Sequence, residues 1–437
     1  MVQPHHQTSL SQSSSVSPQA TAPEVKTRGE LRASGHQLRS VKDEIRQNLL
    51  ARLRVGDDPF PGILGFDETV RPHLERALIA GHDVILLGER GQGKTRLIRT
   101  LTGLLDEWSP VVTGCEINDH PFAPVCARCR RLADELGDDL PVSWQGRDER
   151  YGEKLATPDT SVGDLIGDID PVKVAEGRTL GDPETIHYGL VPRTNRGVFC
   201  LNELPDLAER IQVSLLNVLE ERDIAVRGYA LRLPLDLVLV ASANPEDYTN
   251  RGRIITPLKD RFGAEIRTHY PLSLDDELAV VEQEAEIAWG GDNPDAVLPR
   301  HLIEVIARFT RLVRSSPAVD ARSGVSARFA IAAAEAVVAA AVRRAAITGE
   351  EQPVARICDL PAVVTTLRGK VEFEVSEEGR EDEVLEHLLR RATADTFRAR
   401  LGSADLSGLV ARFAEGDSVE SSDQVPARDL LRRIGEV

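Results

Sequence analysis

The chain has 437 residues, 41% of them hydrophobic and only 4% aromatic, and a net charge of −17. That length allows two or three domains on an aliphatic core, and the acidic balance, with no dense Lys/Arg run against it, argues against nucleic acid as a partner. No stretch of about 18 apolar residues can span a bilayer, no charged-then-apolar leader opens the chain, and five cysteines suit a reducing cytoplasm better than a disulfide framework.

Residues 1–35 are expected to be a disordered tail, because its Ser, Gln, Pro and Thr cannot bury enough surface to offset the entropy of ordering. Leu38–Val55 has apolar residues at helical spacing (Leu38, Val41, Ile45, Leu49, Leu53). Phe60-Pro61-Gly62 reads as a turn, Glu68–Ala80 as a helix ended by Gly81, and Asp83–Leu87 as a buried parallel strand. Thr95–Leu105 is predicted as the next helix, followed by strands at Val198–Leu201 and Leu235–Ala241 with a helix at Leu207–Glu220. Ile224–Leu233 alternates around Gly228 and predicts a β-hairpin. Strands alternating with helices give an α/β class, a parallel sheet covered on both faces. Beyond Pro271 and Leu272 the pattern is helical: Leu274–Trp289, Pro299–Arg314, Ser326–Ile347 and Arg380–Leu401.

Gly88-Glu89-Arg90-Gly91-Gln92-Gly93-Lys94-Thr95 fits G-x-x-x-x-G-K-[ST], set between a predicted strand and helix as that motif requires. Glycines let backbone N–H groups wrap phosphates, and the helix presents its positive N-terminus to the anion. Lys94 is then placed to reach the terminal phosphates of ATP, and the Thr95 hydroxyl to ligate Mg²⁺. Asn202 and Glu203 end the apolar strand that begins at Val198, at the carboxyl edge where ligands bind in open α/β sheets. Glu203 can orient or deprotonate an attacking water. Asn202 stands where Asp is usual, accepting hydrogen bonds without bringing charge, so metal affinity or turnover is expected to fall.

The chain resembles AAA+ ATPases of the clade containing the magnesium-chelatase ATPase subunit and MoxR-type proteins. The resemblance rests on the P-loop and on three further stretches: Ala156–Thr160 with Asp164–Gly167, Gly189–Val191 with Gly197–Phe199, and Ala243–Asp247 with Leu258–Gly263. It implies a P-loop AAA+ core at 36–270, carrying an insertion over about 107–190 and the hairpin at 224–233. A helical lid at 271–347 and a helical C-terminal region at 348–437 would follow. By the same resemblance Asn244 matches the sensor-1 asparagine and Arg261 the arginine finger that enters a neighbouring subunit's site. Arg328 matches the lid arginine called sensor 2, with Arg322 as its competitor. A homo-oligomeric ring, six subunits being usual, and a partner with a von Willebrand factor A-type domain are also implied.

Cys115, His120, Cys126 and Cys129 form C-x4-H-x5-C-x2-C, a set of borderline and soft ligands that suits tetrahedral Zn²⁺. The alternative is dispersed free thiols. Three functions compete: an ATP-driven motor that remodels or matures a partner, a sigma-factor-directed transcription activator, and a nucleotide-gated scaffold that barely hydrolyses ATP. The second would need the loop Gly-Ala-Phe-Thr-Gly-Ala and a DNA-binding helix-turn-helix, and neither is found in the sequence.

Overall fold

The computed structural model describes residues 21–175, 185–220, 224–226, 229–231, 233–244, 253–287, 296–320, 324–416, 418–419, 422 and 424–434. Among them five strands make one parallel sheet: β1 (Val84–Leu87), β2 (Tyr151–Leu155), β3 (Val198–Asn202), β4 (Val238–Ala243) and β5 (Ala264–Arg267). Their order is β5-β1-β4-β3-β2, with each neighbouring pair parallel.

The three central strands are buried at every position, as a sheet with two covered faces requires. Their side chains alternate between two cores. Val84, Leu86, Cys200 and Val240 pack beneath the helices Val41–Val55, Val70–Ala80 and Lys94–Thr100, while Ile85, Leu87, Phe199 and Ala241 face helix Glu209–Glu220. β2 and β5 are the edges. Their sequences, Tyr-Gly-Glu-Lys-Leu and Ala-Glu-Ile-Arg, lack the apolar run that betrayed the others. β2 therefore falls inside the expected insertion at 107–190, yet its Leu155 pairs with Asn202 in the central sheet. What lies around it is a separate layer: Trp108–Val112 pairs antiparallel with Val142–Gly146, helix Ala127–Leu136 stands between them in sequence, and Gly167–Ile169 pairs with Ile186–Tyr188. The two strands of the expected hairpin pair antiparallel, with Ile224 opposite Leu231.

Part of the segment expected as a disordered tail is folded. Arg28–Ala33 is a helix closed by a capping box of Thr27 and Glu30, and Leu31 is fully buried. Backbone bonds from Val142 N to Lys26 O and from Arg28 N to Leu140 O attach it to the insertion layer. Residues 1–20 lie outside the description. A second attachment is a buried ion pair: Arg150 Nη1 and Nη2 donate to the two carboxylate oxygens of Glu44 at 2.7 and 2.8 Å. It fixes helix Val41–Val55 to the turn that enters β2.

The helical half has one core, in which Ile306, Phe309, Val337, Val363, Leu385 and Leu389 pack together. Helices beyond residue 348, Ala362–Leu367 and Glu381–Leu401, contribute to it, so that region is joined to the lid rather than standing apart. Helix Leu274–Glu284 stops five residues before the expected end at Trp289, because Ala285 turns to an extended conformation with ψ 122°.

Candidate nucleotide site

β1 delivers the chain at Leu87 into the loop 88–93, and helix Lys94–Thr100 starts from Gly93. Gly91 and Gly93 have φ of +73° and +75°, the left-handed region that side chains with a Cβ avoid. Space is short as well. A Cβ at Gly88 would meet Thr268 Oγ1 at 1.9 Å, and one at Gly91 would meet Ser326 Oγ at 1.9 Å. The other loop residues hold the cradle in place: Gln92 Oε1 accepts from Thr268 Oγ1 at 2.7 Å, and the Arg90 carbonyl accepts from Tyr270 Oη at 2.8 Å. Glu89 offers its carbonyl to Lys94 Nζ at 2.8 Å.

Lys94 is buried, and its ammonium also donates to the Gly88 carbonyl and, at 2.9 Å, to Asn244 Oδ1. Asn244 lies one residue past β4, and the in-register pairing of Leu87 with Ala243 brings it to the loop. On the other side, Thr95 Oγ1 donates to Asn202 Oδ1 at 3.4 Å. Asn202 is thereby one of two uncharged oxygen donors facing each other beside the loop. Such hard oxygens, with a cradle only glycine fits and a buried lysine, suit a Mg²⁺–nucleotide. Glu203 follows in a left-handed conformation, φ 55° and ψ 47°, with its N–H donating to Ser242 Oγ at 3.4 Å. Non-glycine residues held there concentrate at functional sites.

Residues of the loop, Thr95, Glu203 and Ser242 line a cleft of about 490 Å³ whose far wall is the lid, through Ala327 and Arg328. The backbone closes the same junction, since Ala327 N donates to the Gly91 carbonyl at 3.4 Å. Arg328 thus lies across the cleft from the loop, while its competitor Arg322 falls outside the described residues. Arg261 is not among the cleft's lining residues. It ends helix Thr256–Arg261 on an exposed surface.

One charged neighbour was missed by sequence reasoning. Asn202 Nδ2 donates to Glu153 Oε1 at 2.7 Å, and Glu153 also accepts from Arg99 Nε at 2.9 Å and Tyr151 Oη at 3.0 Å. Burial alone would raise the Glu153 carboxyl, but these bonds outweigh it and hold it below its ordinary range. A carboxylate therefore stands directly behind the uncharged Asn202. Its signal was hidden because β2 is a polar edge strand, with no period to announce which residue faces β3.

The cysteine pattern changes at one ligand. Cys115, Cys126 and Cys129 come together with Asp119, not with His120. His120 is occupied elsewhere: its Nδ1 accepts from Phe122 N at 3.0 Å, and its Nε2 faces His36 Nε2 at 3.1 Å.

The chain is similar to several known proteins. Residues 179–261 match the family model "Sigma-54 interaction domain", a stretch containing Asn202, Glu203, Asn244 and Arg261. The magnesium-chelatase subunit ChlI of Nostoc is 29% identical over 270 residues, covering 59% of this chain and 66% of the relative. The ChlI subunit of Guillardia theta is 30% identical, covering 55% and 65%, and the magnesium-chelatase 38 kDa subunit of Cereibacter sphaeroides is 29% identical, covering 51% and 62%. The chain thus spans just under two thirds of the length of these relatives. Among solved structures, the complex of magnesium-chelatase subunits BchI and BchD matches at 21% identity and TM-score 0.39, covering 75% of this chain and 98% of that one. NtrX from Brucella abortus in complex with ADP matches at 14% identity and TM-score 0.42, covering 85% and 72%. The chain's relatives are magnesium-chelatase subunits, 29–30% identical over 51–59% of its length, and its own architecture is a parallel sheet with a glycine loop after β1 and a helical lid.

Proposed function

We propose that this chain is an ATPase that hydrolyses ATP in a homo-oligomeric ring and uses the cycle to remodel or mature a partner protein. The observation that carries the reading is the convergence of Lys94, Thr95, Glu203 and Arg328 on one cleft, with Asn244 bonded to Lys94. Lys94 and the backbone of Gly88–Lys94 bind the β- and γ-phosphates, and Thr95 with Asn202 would hold Mg²⁺. Bound Mg²⁺ neutralises charge on the phosphates during transfer. Glu203 takes the proton of the attacking water or orients it, and Asn244 positions that water against the γ-phosphate. Arg328 enters from the lid, so hydrolysis is coupled to lid movement. Arg261, exposed and away from its own cleft, reaches a neighbouring subunit's site as the finger, which makes the ring necessary for turnover.

The name of one matched structure describes a complex between BchI and BchD, and this supports a protein partner, with a von Willebrand factor A-type domain as the candidate. A hexamer in the cytoplasm is the assembly we propose. Steady-state ATP hydrolysis with Mg²⁺ over a range of protein concentrations tests the reading. Specific activity should rise with concentration and vanish in Lys94→Ala and Glu203→Gln. Activity independent of concentration would remove the shared site. Asn202 favours a second reading, a switch that binds ATP tightly and turns it over slowly until its partner arrives. The family-model match does not separate the motor from a transcription activator, because it covers hydrolytic residues. A gel-shift at low salt does so, and we expect no shift.

A further inference from the structure

We propose that Cys115, Asp119, Cys126 and Cys129 bind a structural zinc ion that staples the insertion layer to the strand carrying Asn202. One ligand atom from each residue lies within 4.8 Å of all the others. A regular tetrahedron with Zn–S bonds of about 2.3 Å has sulfurs about 3.8 Å apart. Small side-chain rotations close that difference. The set reads C-x3-D-x6-C-x2-C and comes from two places: the turn after strand Trp108–Val112, and the first turn of helix Ala127–Leu136.

The second observation is the state of Asp119. The residue is fully buried. Its Oδ2 accepts from Val125 N at 3.0 Å and Cys126 N at 2.8 Å. Its Oδ1 is buried with no hydrogen-bond partner among the described residues. A buried carboxylate oxygen without a donor is costly. Helix caps and turns need only the satisfied oxygen, so they do not explain the other one; a cation among the three sulfurs does. The sulfurs are prepared in the same way. Cys115 Sγ accepts from Asp119 N and Cys126 Sγ from Cys129 N, both at 3.3 Å. Arg128 Nη1, anchored on the Gly114 carbonyl at 3.1 Å, lies 3.9 Å from Cys129 Sγ. Three thiolates and a carboxylate exceed the charge of a divalent ion, and that guanidinium offsets part of the excess. Predominantly thiolate ligation selects zinc over magnesium or calcium, and four protein ligands make a closed site, which is structural rather than catalytic.

The loop between the ligands also holds something up. Asn118 Nδ2 donates to the Arg193 carbonyl at 2.6 Å, and Asn195 Nδ2 donates to the Ile117 carbonyl at 3.0 Å. Residues 193–195 lead directly into β3. A zinc-fixed loop therefore braces the approach to Asn202 and Glu203 from behind.

The test uses the full chain, purified under reducing conditions and dialysed against metal-free buffer. Elemental analysis should find about one zinc per chain. Replacement by Co²⁺ should produce the sulfur-to-cobalt charge-transfer band and the intense visible bands of a tetrahedral site. In chelator competition, Asp119→Asn should hold zinc at least about tenfold more weakly, and His120→Ala should hold it as the wild type does. Less than about a tenth of an equivalent, both as purified and after addition of zinc, would overturn the proposal. So would zinc that His120→Ala loses and Asp119→Asn keeps, or a Cys126–Cys129 disulfide that survives reductant. Should either variant not fold, the cobalt spectrum of the wild-type protein decides alone.

Discussion

Asn202→Asp restores the residue usual at that strand end, and the structure says it will not be a simple gain. In the wild type, Asn202 Nδ2 gives a hydrogen bond to Glu153 Oε1 at 2.7 Å. The substitution removes that charge-assisted bond, a loss of about 1.5–3 kcal/mol, and sets two carboxylates at the same spacing. At an effective dielectric constant of about 20, their repulsion has a ceiling of roughly 6 kcal/mol. Arg99 remains on Glu153, whose side chain is 23% exposed, and one carboxyl can take a proton instead. We therefore expect a net loss of about 2–4 kcal/mol at neutral pH. The sign of its pH dependence follows. The new carboxyl has a raised pKa in the folded protein, so the fold keeps a proton that the unfolded chain releases, and the deficit shrinks as pH falls toward about 4. Wild-type Glu153 is displaced the other way. Its contribution is complete above about 4.5 and is lost as pH falls below that value. Urea midpoints near pH 7 and pH 5 read the first effect, and one near about pH 3.5 reads the second. Adding Glu153→Gln to the variant returns a donor to the new carboxylate and should recover most of the loss. A single variant as stable as wild type at pH 7, or a second substitution that recovers nothing, would refute the pairing.

Gly91→Ala must place a methyl against Ser326 at a left-handed backbone position, so ATP affinity in calorimetric titration should fall at least about tenfold. Arg150→Ala leaves the Glu44 carboxylate buried without its partner and should destabilise the protein by about 3–5 kcal/mol in urea unfolding. An effect below about 1 kcal/mol would mean that the pair is wet. Arg328→Ala should keep nucleotide binding within a few-fold and lower turnover about tenfold or more, measured on the same samples. Mixing Arg261→Ala subunits with Glu203→Gln subunits should restore part of the activity that each lacks alone, since some interfaces then combine an intact finger with an intact base. No recovery in mixed rings would argue that Arg261 acts within its own chain.

The sequence made the strands with two buried faces legible, because β1, β3 and β4 carry continuous apolar runs. It also made the phosphate loop legible, because its glycines and lysine are tied to one backbone geometry. The edge strands were not legible. β2 (Tyr-Gly-Glu-Lys-Leu) has no period, β5 (Ala-Glu-Ile-Arg) alternates over only four positions, and pairing on one side only asks little of their side chains. Glu153 was lost with β2. Asp119 was lost for another reason: it sits one position before a histidine, the more familiar ligand, and only the loop's path turns Asp119 toward the sulfurs and His120 toward His36. Charged pairs distant in sequence, such as Glu44 and Arg150, leave no local pattern at all.

The contact between Gly91 and the foot of helix Ala327–Thr348 has a mechanical consequence. That helix has 22 residues and so is about 33 Å long. Its first turn rests on the phosphate loop, where Ala327 bonds the Gly91 carbonyl and Ser326 fills the space a side chain would need. A tilt of about ten degrees at this fulcrum swings the distal end by roughly 6 Å, about one helical turn. If hydrolysis tilts that helix, as the proposed function requires, a displacement of that size reaches its far end, and the missing methyl group at Gly91 is what lets the helix sit so close to the loop.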